Sequence, residues 1–265
     1  MDNFAVLLII GLVAGVLSGL FGIGGGLLIV PALTLLVGFS TKTAVATSLA
    51  ALLLPVGIFA VLEYHRKGLL DLRASLLIAL GLFTTTLLGA QITLALPDTL
   101  FKQAYGAFVI IMGLRLLGVF ARASSSPPPA ASENANPDRL TAWKLLILGL
   151  IAGVLSGMFR IGGGIVIVPA LMALFGVEQK RAVGTSLGAL LLPVGLPGVL
   201  GYWAAGELNL GAAVPVALGL AIGALGGARI AIGLDPKTMR RMYGIFLLVV
   251  GAWFIIEPII RQAPV

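Results

Sequence analysis

The chain repeats itself. Residues 11–38, GLVAGVLSGLFGIGGGLLIVPALTLLVG, return as residues 149–176, GLIAGVLSGMFRIGGGIVIVPALMALFG, and a constant offset of about 138 residues carries further matches without a gap. Thr47-Ser48 pairs with Thr185-Ser186, Leu54-Pro55-Val56-Gly57 with Leu192-Pro193-Val194-Gly195, and Tyr105-Gly106 with Tyr243-Gly244. A chain that says the same thing twice must fold into two related halves. When the repeated unit is apolar, the architecture implied is that of a secondary transporter, with its substrate site where the halves meet.

The unit is apolar. Hydrophobic residues make up 59% of the chain and charged ones 10%, with a mean hydropathy of +1.13, which leaves too little polar surface to solvate a globule. Runs of about 20 apolar residues recur, and they lack the alternation of a membrane strand, so the spans are predicted to be helices in a lipid bilayer. The net charge of +7 would suggest nucleic acid in a soluble protein. Here the basic residues fall in short loops between spans, where topology accounts for them, and no nucleic-acid partner is expected. There is no cysteine and a single histidine, His65. Disulfides, thiolate sites and multi-histidine metal centres are therefore excluded, and no cofactor or metal is expected. No Ser/His/Asp, paired-carboxylate or HExxH constellation is available either, so the chain is read as a non-enzyme with no catalytic residues. The first apolar run lacks a basic flank, since Met1-Asp2-Asn3 precedes it, and its twin is internal; it is expected to belong to the fold and not to a leader.

Repeat one, residues 1–121, divides into a helix from about Phe4 to Phe21, a break at Gly22-Ile23-Gly24-Gly25-Gly26, and a short apolar segment from Leu27 to Phe39. Longer spans follow at roughly Thr43 to Tyr64, Arg73 to Leu96 and Leu100 to Phe120. Repeat two, residues 142–265, copies this plan. Between them residues 122–141, RASSSPPPAASENANPDRLT, are polar, rich in Pro, Ser and Ala, and read as a flexible linker. Loop charges orient the halves. His65, Arg66, Lys67 and Arg73 in repeat one correspond to a loop of repeat two, Ala204 to Gly211, that carries Glu207 and no basic residue. Lys180, Arg181, Lys237, Arg240 and Arg241 of repeat two face only Lys42 and Lys102 in repeat one. Opposite bias in equivalent loops predicts inverted repeats, each with an odd number of crossings. Five crossings satisfy this, and so do three plus a re-entrant hairpin made of the first two segments. Under either count the linker is cytoplasmic and both termini face outward. The predicted fold class is thus an all-α polytopic membrane protein of two inverted-topology repeats, about five helical segments each, with short or broken helices at a central site. The segment from Leu27 to Phe39 covers only about 20 Å as a helix against a hydrocarbon core of roughly 30 Å. Short, Gly-interrupted segments at corresponding positions point to the binding site.

Candidate substrate contacts follow from that position. Gly24, Gly25 and Gly26, with Gly162, Gly163 and Gly164, open a helix in each half, and uncovered N–H groups at a helix start can cradle an oxyanion. The same glycines would also serve a tight hairpin and close helix packing. Arg160 stands where repeat one has Gly22; a charge within a span must face a cavity or a partner, or snorkel to the interface. Thr47, Ser48, Thr185 and Ser186 offer hydroxyls to an anion, or bond back to the preceding turn. Pro55 and Pro193 would bend those helices. Arg229 reads as a snorkelling side chain, Gly11, Gly15 and Gly19 with Gly149, Gly153 and Gly157 as packing ridges, and Tyr64, Tyr202 and Trp203 as interfacial anchors.

Taken together, the duplicated GxxxGxxSGxFGIGGG block, the VPAL that follows it and the AVATSL of residues 44–49 resemble the sulfite exporter TauE/SafE family, also called the toluene sulfonate uptake permease family. The resemblance covers nearly the whole chain except the linker. It implies a multi-pass protein of a bacterial inner membrane that moves sulfite, organosulfonates or related small anions, with the family's glycine motif on Gly22 to Gly26 and on Ile161 to Gly164 and its Thr-Ser motif on Thr47-Ser48 and Thr185-Ser186. Arg160 is a departure from the family-like glycine. The expected partners are a small oxyanion and the lipid bilayer, with the oligomeric state open and a homodimer among the options. The expected activity is export by alternating access, helped by the membrane potential; an anion channel, or a permease for small carboxylates, is the alternative.

Overall fold

Leu-, Ala- and Gly-rich runs with no alternation leave each segment to satisfy its own backbone, and it does so as helix. The computed structural model describes residues 4–53, 57–95, 98–118, 141–159, 163–191, 196–204 and 206–262, and among these residues there is no strand. The first half contributes α1 (Phe4–Phe21), α2 (Gly26–Ala32, ending in a π-helical turn, Leu33–Val37), α3 (Thr41–Leu53), α4 (Ile58–Arg66), α5 (Leu72–Ala95) and α6 (Asp98–Leu116). The second contributes α7 (Ala142–Phe159), α8 (Gly164–Phe175), α9 (Gln179–Leu190), α10 (Leu196–Ala204), α11 (Leu210–Gly233) and α12 (Pro236–Gln262). The segment boundaries follow the sequence reading closely. One expected span is divided: α3 and α4 are bent by 43° at a short break, and Pro55 belongs to that break, outside the described residues. Arg160, Ile161, Gly162, Pro193 and the linker before Thr141 also lie outside them.

Among the described residues three helices, Phe4–Phe21, Leu210–Gly233 and Pro236–Ile256, are long and apolar enough to cross a membrane alone, and α3 with α4 makes a fourth if the bent pair is one span. The outer faces are apolar too. Ile9, Val13, Leu80, Phe83, Ile222 and Val249 are all exposed, a surface whose natural solvent is lipid. Lipid gives no hydrophobic drive for helices to associate, so close packing of small residues must supply the attraction. That packing is where the two halves interlock.

The first long helix of each half packs on the fourth long segment of the other. Gly11, Gly15 and Gly19 of α1 lie against the backbone of α11 at Val216, Leu220 and Ala224, and Gly219, Gly223 and Gly227 of α11 return the fit against Leu8, Leu12 and Val16. The equivalent contact joins α7 to α5: Gly149 meets Ile78, Gly153 meets Leu82, and Gly81 meets Leu146 and Gly149. Gly11, Gly15, Gly19, Gly149 and Gly153 are the packing surfaces predicted, with backbones so close that no Cβ fits; the side of Gly157 lies outside the described residues. Helices α6 and α12, which are equivalents, pack on each other: Gly106 lies against Gly251 and Gly113 against Gly244. As one helix advances the other retreats, so this pair runs in opposite senses.

Polar contacts gather the helix ends. Arg181 near the start of α9 pairs with Asp71 just before α5, Lys180 donates to the Ile232 carbonyl near the end of α11, and Arg240 near the start of α12 donates to the Leu116 carbonyl at the end of α6. At the start of α3, Thr43 donates to Glu207 just before α11. Tyr64 corrects the expectation of an interfacial anchor. It is fully buried, because Gly184 of α9 leaves space for its ring, and its hydroxyl donates to the Gly19 carbonyl at 3.0 Å. Trp203 is exposed, as an anchor would be, and Arg229, read as snorkelling, is largely exposed but lies 3.7 Å from Glu63.

Candidate functional site

The glycine break after α1 is a chain reversal built from conformations that only glycine adopts freely. Gly22, Gly24 and Gly25 have φ of 72°, 82° and 77°, so the stretch turns tightly and brings Gly25 back beside Ala14 and Leu220. Gly25 precedes α2 without a side-chain cap. The second break ends at Gly163, which has an ordinary φ of −64° and likewise offers no side chain to cap α8.

The two breaks meet. A Cβ on Gly164 would overlap the carbonyl oxygen of Gly22 and crowd Ile23, so the start of α8 is pressed against the turn after α1. Ser186 of α9 fixes the junction by donating to that same Gly22 carbonyl at 2.9 Å. Of the candidate glycines, Gly25, Gly26, Gly163 and Gly164 are buried and only Gly24 is half-buried, so in this conformation the Gly164 end is occupied by protein backbone. An aromatic shelf flanks it, with Phe21 stacked on Tyr243 at 5.2 Å and on Phe246 at 5.1 Å.

All four candidate hydroxyls are buried, but they are used differently. Thr185 Oγ1 accepts the Asp71 N–H at 3.2 Å, and the Thr185 carbonyl accepts from Ser75 Oγ at 2.9 Å. Its equivalent Thr47 is wholly inaccessible, and its hydroxyl has no partner among the described residues. Ser48 is buried beside it in sequence. A buried hydroxyl without a bond carries a desolvation cost of about 1–3 kcal/mol, which a ligand acceptor would relieve. Arg160 and Gly162 fall outside the described residues, so the structure bears on the other nine candidates.

Several polar residues that join the halves were not offered as site residues by the sequence, although Arg181 and Glu207 entered the loop-charge argument. Asp71, Ser75, Arg181 and Glu207 tie one half to the other. A signal for one of them was present: Asp71 and Asn209 share the repeat offset, and each accepts the N–H three residues on, Ala74 and Ala212, as a helix cap does. Beside Asp71 lies a cleft of about 10 Å³, room for roughly one water, lined by Asp71, Ala74, Leu171, Val177, Arg181 and Thr185.

Comparison with known proteins gives a family match over almost the whole chain. The family model described as Sulfite exporter TauE/SafE matches residues 7–254. A "Probable membrane transporter protein YunE" of Bacillus subtilis is 27% identical over 97% of this chain and 99% of its own. A "Probable membrane transporter protein MJ0441" of Methanocaldococcus jannaschii is 30% identical over 95% of each. No solved structure matches.

Proposed function

Because this chain belongs to the sulfite exporter TauE/SafE family and is a membrane transporter, we propose that it carries small sulfur-containing oxyanions, sulfite or organosulfonates, outward by alternating access. The observation that carries the reading is the meeting of the two glycine breaks, Gly164 against Gly22, where segments from both halves converge on a buried junction. Such convergence is what a transport site between repeats requires. Thr47 supplies a hydroxyl unpaired among the described residues, joined by Ser48, by N–H groups of Gly24 to Gly26 and Gly162 to Gly164, and by the Arg160 guanidinium; Thr185 and Ser186, engaged with Asp71 and Gly22 in this conformation, take the equivalent part once the junction opens.

In this reading the repeats are inverted. Two features support it: the equivalent helices α6 and α12 run in opposite senses, and each α1-type helix packs on the other half's α5-type helix through matching positions. The end that gathers Arg66, Lys67, Arg73, Lys180, Arg181, Lys237, Arg240 and Arg241 faces the cytoplasm of a bacterial inner membrane, following the positive-inside bias. Three crossings with a hairpin of α1 and α2 then complete each half. An inside-negative potential favours anion efflux by about 2.3 kcal/mol per charge per 100 mV, so export needs no coupling ion. The test is counterflow of labelled sulfite, sulfoacetate, thiosulfate and taurine in proteoliposomes. Saturable exchange of sulfite or a sulfonate is expected; exchange of none of them, or flux at channel rates without saturation, overturns the proposal.

A further inference from the structure

The Arg181–Asp71 pair spans the lining of the small cleft beside Thr185. Asp71 is held from three sides: Oδ1 accepts the Ala74 N–H at 2.9 Å, its own N–H donates to Thr185 Oγ1, and Oδ2 faces Arg181 Nη2 at 3.5 Å. The carboxylate is thus fixed, while the arginine reaches it by a single long contact, with about a third of its side chain exposed. A partly exposed pair of this length is weak and exchangeable. Resting on the oxyanion reading above, we propose that this pair is a gate, opened when the transported oxyanion takes the place of the Asp71 carboxylate on the Arg181 guanidinium.

The chemistry favours that exchange. A free oxyanion can take two parallel N–H bonds from the guanidinium fork, whereas Asp71 has one oxygen committed to capping α5. Arg181 is carried by α9 and Asp71 by the start of α5, from opposite halves, so loss of the pair also loosens the bonds that Asp71 and Ser75 make to Thr185. The other groups nearby are Lys180, whose Nζ is engaged with the Ile232 carbonyl, Glu178 just before α9, and Arg73. Among the described residues the opposite end of the molecule does not repeat the device. The equivalent of Arg181 is Thr43, whose hydroxyl donates to Glu207 Oε2 at 2.9 Å. An anion arriving there meets the Glu207 carboxylate, and the position of Arg181 is held by a neutral threonine. The pair therefore favours admission of anions from the basic end, which gives the carrier a loading side.

The test uses the purified full chain in detergent, with Val177→Cys in the cleft as the sole cysteine, and reads its rate of reaction with a thiol dye. Asp71→Asn and Arg181→Gln are each expected to raise that rate at least about fivefold without added anion, a shift of about 1 kcal/mol in the opening equilibrium. Sulfoacetate is expected to raise it in the parent and to have no effect in Arg181→Gln. Arg181→Lys, which keeps the charge, stays within about twofold of the parent and separates the ion pair from a folding defect. Parent rates in both Asp71→Asn and Arg181→Gln overturn the gate. Fast labelling in both, with no response of the parent to sulfoacetate, overturns the anion trigger; a failure of the oxyanion reading shows separately, as proteoliposomes that exchange none of the tested anions.

Discussion

Ser186 donates its hydroxyl to the carbonyl of Gly22, 2.9 Å away, across the boundary between the two halves of the chain. That carbonyl belongs to a residue with φ of 72°, so the bond holds in place a turn that few other sequences could form. It also lies beside Gly164, whose lack of a side chain lets α8 begin there. Removing the hydroxyl should therefore loosen the junction between the halves. Ser186→Ala is expected to cost about 1–3 kcal/mol, because a buried acceptor is left unsatisfied. Thermal unfolding in detergent checks this, and a melting temperature equal to the parent's would show that the Gly22 carbonyl finds another donor.

The glycines at the junction are not equivalent. A Cβ on Gly164 meets backbone, which cannot move aside, so Gly164→Ala is expected to destabilise by about 1–3 kcal/mol and to abolish transport. Gly25→Ala combines an overlap with Leu220 Cδ1 and a left-handed φ of 77°, and should cost about 1–2 kcal/mol from the backbone alone. Gly163→Ala meets only the ends of Leu82 and Ile167 at an ordinary φ, and should fold within about 1 kcal/mol of the parent. Melting temperatures of the three variants should rank in that order of damage, with Gly163→Ala nearest the parent.

Thr47 and Thr185 occupy equivalent positions and should respond oppositely to loss of the hydroxyl. Thr185→Val removes the acceptor of the Asp71 N–H and is expected to destabilise by about 1 kcal/mol. Thr47→Val removes a hydroxyl that has no partner among the described residues, so stability should hold or improve. Transport should nevertheless fall about tenfold in Thr47→Val, equivalent to about 1.4 kcal/mol, if that hydroxyl receives the anion. Full transport with raised stability would remove Thr47 from the site.

Much of this architecture was legible in the residues. Leu/Gly runs marked the helices because lipid leaves a segment no other way to pair its backbone, and the Gly11-Gly15-Gly19 spacing marked a packing ridge because those positions share a helix face. Which helix would fill the ridge was not legible, since a repeat offset relates equivalent positions and says nothing about contacts across halves. The difference between Thr47 and Thr185 was hidden for a similar reason. Both read as Thr-Ser one turn into a helix, and only the partner segment distinguishes them: Asp71 offers its N–H to Thr185, while nothing described does so for Thr47. Tyr64 misled because an aromatic at a span end has two fates, and the space left by Gly184, distant in sequence, decided between them.

Membrane orientation can be read by placing cysteines one at a time in a chain that has none. Arg66 ends α4, next to the start of α5 where Asp71 meets Arg181, whereas Glu207 is bound to Thr43 at the start of α3. With α3 and α4 read as one bent span, these two positions should lie on opposite sides of the bilayer. The linker follows α6, whose end is tied to Arg240 at the basic end, so Ser125 should share the side of Arg66. With the basic end cytoplasmic, an impermeant thiol reagent on intact cells should label Glu207→Cys and spare Arg66→Cys and Ser125→Cys until the membrane is permeabilised. Labelling of Arg66→Cys and Ser125→Cys with protection of Glu207→Cys would reverse the orientation, and with it the loading side of the Arg181 gate. Labelling of all three would mean that α3 and α4 do not cross, and the inverted-repeat reading would fall with them.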